Sequence, residues 1–182
     1  MKRILILLCL PLLFTTCKKE EDDNTPTNNT NLAIGDSYQG GIIFYIDSSG
    51  AHGLITTIND HGPSEWGCPQ STIWSTSNAL GTGQANTTAI LDGCSTIGIA
   101  AKLCDDYTIT TNGVTYDDWF LPSLNELYQM YLNIGNNGSF NNDPYWSSTE
   151  APIDYVHTQY FDGSQYENWK GNNLHFRPIR AF

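Results

Sequence analysis

The chain has 182 residues and a formal net charge of −11 at pH 7. From residue 32 onward, four cationic side chains stand against fifteen carboxylates, so the surplus of negative charge belongs to the globular part. A field of that sign repels phosphate and sulfate polymers and argues against nucleic acid as a partner. About 150 residues suffice for one self-sufficient core.

The N-terminal segment has the pattern of a cleaved secretory signal. Lys2 and Arg3 precede an apolar run from Ile4 to Phe14, and two threonines follow before Cys17. The run is too short for a membrane-spanning helix, which takes about 20 apolar residues. Its length and its flanks are those of a signal peptide, so we expect residues 1–16 to be removed.

The segment 13–17, LFTTC, resembles a lipobox, which implies that Cys17 is joined to lipid. Each buried methylene contributes about 0.8 kcal/mol, so several fatty chains hold a protein firmly at a membrane. The next six residues, KKEEDD, resemble the export signal of Bacteroidota lipoproteins that reach the outer face of the outer membrane. Residues 17–33 are predicted to be a disordered tether, and residues 34–182 a single globular domain.

After removal of the signal and acylation of Cys17, three cysteines remain in the domain. The domain is expected to lie in an oxidising compartment, where disulfides persist. Cys94 and Cys104 flank or share a helical stretch, and ten helical residues would set them about 15 Å apart, beyond the roughly 7 Å limit for bridged Cα atoms. We therefore predict a Cys68–Cys94 disulfide and a buried thiol at Cys104. A zinc site is the alternative, although no Cys-x-x-Cys or His-x-x-x-His pair is present.

The first half of the domain is predicted to contain a hairpin and a helical region. Residues 41–46 and 53–57 are β-rich runs joined by turn residues, whereas 58–84 is rich in Gly, Pro, Ser, Thr and Asn and is expected to be irregular. A helical region follows from about Asn86 to Cys104, with Ser95 as a candidate N-cap; two glycines, 93 and 98, weaken it, and a break into two helices is the alternative. Its apolar stripe comprises Ile97, Ala100, Ala101 and Cys104.

The second half is predicted to contain one strong helix followed by strands. Ser123 and Glu126 have the spacing of a capping box, and Gly135 is expected to end the helix. The apolar face of this helix comprises Leu124, Leu127, Tyr128, Tyr131 and Ile134. Strands are expected at 145–148, 155–161 and 174–181, with a bulge or an edge at Pro178. The order of elements predicts an α+β domain with two helices and a mainly antiparallel sheet.

Six segments occur in a fixed order along the domain: YQGGIIFYI (38–46), HGLI (52–55), GTGQANT (81–87), DWFLPSLNEL (118–127), YWSSTE (145–150) and RPIRAF (177–182). Together they resemble the family named after the C-terminal domain of the Legionella collagen-like protein. The resemblance implies a C-type-lectin-like fold, related to that of sulfatase-modifying enzymes. The named member is an adhesin that binds sulfated glycosaminoglycans through a basic, trimeric surface, whereas this domain is acidic and lacks collagen-like repeats.

Several polar and aromatic residues are expected to have structural roles. Trp119 and Trp146 are predicted to lie in the core, with the hydroxyls of 147–149 bonded to the backbone; a binding site of mixed aromatic and hydroxyl groups is the alternative. Arg177 and Arg180 are predicted to pair with carboxylates, because guanidinium matches carboxylate in a two-pronged geometry, with anion binding as the alternative. The candidate carboxylates are Asp118, Glu126 and Glu150.

The sequence favours a binding protein over an enzyme. Its four histidines are scattered, and no nucleophile elbow, zinc-protease helix or phosphate-binding loop occurs. Calcium is the only candidate cofactor, with oxygen ligands available at 141–144 and 167–169, although the usual lectin tripeptides are missing. The candidate ligand surface comprises Trp74, Tyr166, Asn168 and Trp169.

The leading hypothesis is a lipid-anchored, surface-exposed lipoprotein of the outer membrane whose domain binds a glycan or a protein without catalysis. The alternative is an accessory lipoprotein subunit of a surface complex. An enzyme related to the sulfatase-modifying fold is a third hypothesis, which requires a histidine or Cys104 to meet a carboxylate in a cleft.

Overall fold

The computed structural model describes residues 32–74, 76–137 and 140–182. The predicted signal, the acylation site Cys17 and nearly all of the predicted tether lie outside the described residues. Asn31–Phe182 forms one compact unit. Within the described ranges, no helix is long and apolar enough to cross a membrane.

The first sheet is antiparallel and contains the first and last strands of the domain. Side by side, its strands are β1 (Ser37–Tyr38), β2 (Gly41–Ile46), β3 (Gly53–Thr56) and β11 (Ile179–Ala181). The predicted hairpin is confirmed, with Ile43 opposite Ile55. Alternate residues point to opposite faces, so this pair lies on one face of the sheet with both side chains fully buried.

The second sheet has five strands and is antiparallel except for one pair. Its order is β4 (His61–Ser64), β10 (Leu174–Phe176), β7 (Tyr145–Glu150), β8 (Tyr155–Gln159) and β9 (Gln165–Trp169), with β10 and β7 parallel. Strand β4 lies in the stretch that was expected to be irregular, and β9 was not predicted. The fold is therefore α+β with mainly antiparallel sheets, as predicted.

The strand predicted from Leu174 to Ala181 is in fact two strands in different sheets. Pro178 has no N–H to donate to a ladder, and its carbonyl oxygen accepts hydrogen bonds from Thr57 N at 3.1 Å and Thr56 Oγ1 at 3.3 Å. The chain passes from the second sheet to the first at this point. The predicted bulge or edge is thus a crossover between sheets.

The helical region predicted for 86–104 is divided, so the described residues form three α-helices rather than two. Ser95 does not cap a helix, because the second one begins only at Ala100, with Ile99 before it. Ile97 lies in the connection and is 91% exposed, which contradicts its place in the apolar stripe. The helices are α1 (Gly83–Gly93), α2 (Ala100–Asp105) and α3 (Leu124–Ile134), and a small hairpin of β5 (Ile109–Thr111) and β6 (Val114–Tyr116) follows α2.

Helix α3 begins with the predicted capping box. Glu126 N donates to Ser123 Oγ at 3.3 Å, and Ser123 N donates to Glu126 Oε2 at 2.7 Å. Of the predicted apolar face, Leu124, Leu127 and Ile134 are buried, whereas Tyr128 is exposed and Tyr131 is half-buried. Met130 is fully buried instead. The helix packs between β2 of the first sheet and β7 and β8 of the second.

Among the described residues, the core consists of three clusters of buried hydrophobic side chains. Trp66 and Trp146 lie with α1 and α2 in one cluster, and Trp119 packs against the first sheet beside Ile43 and Ile55 in another. The Cys68–Cys94 disulfide is confirmed and joins the segment after β4 to the end of α1. Cys104 is a buried free thiol, as predicted.

Candidate ligand-binding site

The structure places the predicted ligand-surface residues in two locations. Trp74 is 90% exposed and lines a hollow of about 360 Å³ beside the end of α1. Tyr166 and Trp169 are 59% and 45% exposed on β9, and no β9 residue lines the hollow of Trp74. Asn168, between them, donates its Nδ2 to Thr158 Oγ1 at 2.9 Å. These residues therefore do not converge on one concave site.

A larger hollow of about 570 Å³, which we call the hairpin hollow, lies between the β1–β2 turn and the β5–β6 hairpin. The lining groups are hydroxyls, carboxamides, two phenol rings and two isoleucines, with no charged side chain among them. They belong to Ser37, Tyr38, Gln39, Gly40, Gly41, Ile58, Ile109, Thr110, Thr111, Asn112 and Tyr116.

Two tight turns form the rims of the hairpin hollow. Gln39 and Gly40 have φ of 47° and 86°, and Asn112 and Gly113 have φ of 51° and 78°. Positive φ at both central residues is what a two-residue type I′ hairpin turn requires, and Gly and Asn adopt it readily. A Cβ at Gly40 would lie 2.7 Å from Ile109 Cγ2, so glycine lets the two hairpins touch.

Arg180 joins the two walls of the hairpin hollow. Its guanidinium forms an ion pair with Asp118, donates a hydrogen bond to Gln39 Oε1 and lies 4.6 Å above the ring of Tyr116. Asp118 is one of the three carboxylates that the sequence proposed for it. The cation is thus engaged by its neighbours, and it holds Gln39 and Tyr116 in place without lining the hollow itself.

Trp119 joins the β5–β6 hairpin to the core of the domain. The indole is buried, its ring makes an edge contact with Tyr107 at 5.2 Å, and its Nε1 donates to Tyr116 O at 3.2 Å. The structural role that the sequence predicted for Trp119 therefore extends to one wall of the hairpin hollow. A rigid wall orders its binding groups before any ligand arrives.

Arg177 is paired with a carboxylate that the sequence did not propose. Its Nε donates to Asp60 Oδ1 at 2.7 Å, and its Nη1 donates to Thr57 O at 2.8 Å. Asp60 also accepts a hydrogen bond from Tyr145 Oη at 2.6 Å. Burial, reinforced by this bond, raises the pKa of Tyr145 well above its ordinary value.

Glu150 pairs with Lys170 rather than with an arginine. Both side chains are buried, and Lys170 also donates to Ser71 O and lies 4.9 Å from the ring of Trp66. The Glu150 carboxylate accepts from Ile73 N at 2.8 Å. This pair fixes the loop that leads to Trp74, so the role of Glu150 is structural.

Two groups that an enzyme of the predicted kind could use, Cys104 and a histidine beside a carboxylate, lie apart from the hairpin hollow. Burial raises the pKa of the Cys104 thiol well above its ordinary value, which keeps it protonated and inert. His175 Nε2 lies 3.6 Å from Asp143 Oδ2, but neither residue lines the hairpin hollow. In the described ranges, no three His, Cys, Asp or Glu side chains lie close enough together to hold a metal ion.

The hairpin hollow was not predicted from the sequence, although the sequence does indicate one of its two turns. Asn112-Gly113, with Thr111 before it and Val114 after it, is a strong hairpin signal. Its partner turn at 39–40 lies about 70 residues earlier, and nothing in the sequence links the two. Neither protein-family models nor curated proteins match the chain.

Proposed function

We propose that this chain is a lipid-anchored lipoprotein, exposed on the outer membrane, whose domain binds an uncharged glycan in the hairpin hollow without catalysis. The observation that carries the proposal is the chemistry of that hollow. Hydroxyl and carboxamide groups surround two phenol rings, and no lining group is ionised. Ligand sites combine apolar surface with a few polar groups that fix orientation, in hollows of about 300–1,000 Å³.

A neutral sugar suits this lining better than other small ligands. Its hydroxyls exchange hydrogen bonds with Gln39, Thr111 and Asn112, and the apolar face of its ring packs against Tyr38 or Tyr116. A phosphate, a carboxylate or an ammonium group would lose its hydration in the hollow without meeting a counter-charge. The negative charge of the domain adds repulsion against anionic glycans.

The anchor and the finer fold are parts of the same proposal. Acylation of Cys17 would hold the domain at the membrane, and the acidic segment after it supports display on the outer face. A C-type-lectin-like fold is supported by the six ordered segments and by the α+β architecture. The sulfated ligands of the named family member do not suit this acidic domain.

A glycan array probed with the purified protein tests the proposed ligand class. We expect binding to neutral glycans, none to sulfated ones, and no effect of chelating calcium, because no carboxylate lines the hollow. The double variant Thr111→Val and Tyr116→Phe removes two hydroxyls with little change in shape and is expected to weaken binding roughly tenfold. Trp74→Ala, outside the hollow, is the matched control.

Recognition of another protein is the second candidate function. The specific observation in its favour is the exposed edge of the second sheet at β9, where Tyr166 and Trp169 lie. Loss of all glycan binding, together with specific capture of one protein by this edge, would favour the accessory-subunit hypothesis over the glycan-binding one.

A further inference from the structure

Backbone hydrogen bonds at the ends of the β8–β9 hairpin determine which backbone groups of β9 face outward. Tyr160 N donates to Ser164 O at 2.9 Å at one end, and Lys170 N donates to Asp154 O at 2.9 Å at the other. Hydrogen-bonded and non-bonded pairs alternate in an antiparallel ladder. The bonded pairs within β9 are therefore those of residues 166 and 168 with β8.

The backbone N–H and C=O groups of Gln165 and Glu167 consequently point away from β8. The N–H of Trp169 does the same, whereas its carbonyl accepts from Asn172 N at 2.9 Å. Among the described residues, no strand other than β8 pairs with β9. This edge presents a row of donors and acceptors that an extended chain can bind.

Apart from one charged residue, Glu167, the edge at β9 lacks the features that usually block such pairing. Its five residues keep continuous register with β8, with no bulge, proline or lysine. The opposite edge of the same sheet, β4, contains Pro63 and a register shift against β10. Proteins commonly protect exposed edges with such interruptions, so β9 is the open edge of this sheet.

Aromatic side chains lie on both faces of β9. Trp169 is directly opposite Tyr155 and shares its face, whereas Tyr166 points to the other face because alternate residues alternate in direction. All three rings are substantially exposed. An added strand would therefore bury aromatic surface above and below the sheet as well as complete its backbone bonds.

The charge of the edge indicates the kind of partner. Glu167 is the central residue of β9 and its only charged side chain. If a second copy paired with the whole strand about a twofold axis, Glu167 would face Glu167 of that copy, and like charges directly opposite are destabilising. Each of the four domain cations contacts a carboxylate of the same domain, so the unmatched charge is negative. A basic strand is complementary to this edge.

We infer that β9 docks an extended segment of a basic partner protein, which adds a strand to the second sheet. This surface is separate from the hairpin hollow, and the inference deepens the second candidate function, recognition of another protein, without depending on glycan binding. The partner segment alternates lysine or arginine with apolar residues, so that a cation meets Glu167 on one face of the sheet while apolar side chains cover Tyr166 on the other.

The test uses the isotope-labelled full chain and a capped synthetic peptide of alternating lysine and valine. We expect the peptide to slow hydrogen exchange at the amides of Gln165 and Glu167, and to leave those of Tyr166 and Asn168 unchanged because β8 already bonds them. Glu167→Pro removes one outward N–H and the charge without removing a bond to β8, and should weaken binding at least about tenfold. Asp92→Asn, on an exposed carboxylate elsewhere, should bind as the wild type does.

A peptide with glutamate in place of lysine controls for the charge, and we expect it not to bind. Any of three results would overturn the inference: equal binding of the glutamate peptide, wild-type affinity of Glu167→Pro, or unchanged exchange at Gln165 and Glu167 in the presence of the lysine peptide. The variant Thr111→Val with Tyr116→Phe should bind the lysine peptide normally, which separates this result from the glycan test.

Discussion

Each cationic side chain in the described part of the domain lies against a carboxylate of the same domain, but the environments differ. The side chain of Lys102 is 43% exposed and pairs with two aspartates, one on its own helix and one just after it. Lys170, in contrast, is fully buried against Glu150. Exposed pairs contribute little because water and salt screen them. A buried pair is different, since removing one partner leaves the other charge without compensation.

Replacing Lys170 with methionine is therefore expected to lower the free energy of unfolding by about 3–5 kcal/mol, because Glu150 remains buried without its cation. Lys102→Met is the control, and its stability should stay close to that of the wild type. Urea denaturation of the two variants measures the difference. Equally small effects in both would contradict the buried pair.

At the scale of elements, Glu126 ties the starts of two helices together. Its Oε2 accepts from Ser123 N at the start of α3, and its Oε1 accepts from Gly81 N at 2.9 Å just before α1. Burial raises the pKa of Glu126 above its ordinary value, and hydrogen bonds from the backbone and from Ser123 oppose that shift only in part. The folded domain therefore holds a proton on Glu126 more tightly than the unfolded chain does.

This shift predicts a pH-dependent contribution of Glu126 to stability. The contribution is fully present below the ordinary pKa of about 4.5 and is lost as the pH rises through the higher folded pKa. Glu126→Gln removes the titration, so the wild type should gain stability relative to the variant as the pH falls from neutrality toward this value. Thermal unfolding at a series of pH values measures it, and a relative loss on acidification would show that the hydrogen bonds dominate.

At the scale of the whole molecule, the lipid anchor at Cys17 is proposed from the sequence alone, because this residue lies outside the described part of the structure. Replacing Cys17 with serine is expected to abolish incorporation of labelled palmitate and to move the protein out of the membrane fraction, because serine offers no thiol at the acylation position. Cys104→Ala, at the buried thiol, should keep the label. Palmitate that persists on Cys17→Ser would contradict the predicted anchor.

Features that depend on neighbouring residues could be predicted from the sequence, whereas contacts between residues far apart in the chain could not. The β2–β3 hairpin and the capping box of α3 depend on neighbouring residues, and both were predicted. Ile97 fits a helical periodicity, but the chain takes a positive φ of 73° at Gly98 and leaves it outside the helix. The partners Arg177 and Asp60 are 117 residues apart, and no local pattern connects them. The hairpin hollow is missed for the same reason.

The most direct test of the proposed function is a nuclear magnetic resonance titration of the labelled protein with neutral monosaccharides. We expect saturable shifts that cluster at Gln39, Thr111, Asn112 and Tyr116, and that are lost in the variant Thr111→Val with Tyr116→Phe. Shifts confined to Trp74 or β9, or none at any neutral sugar, would contradict a glycan site between the two hairpins.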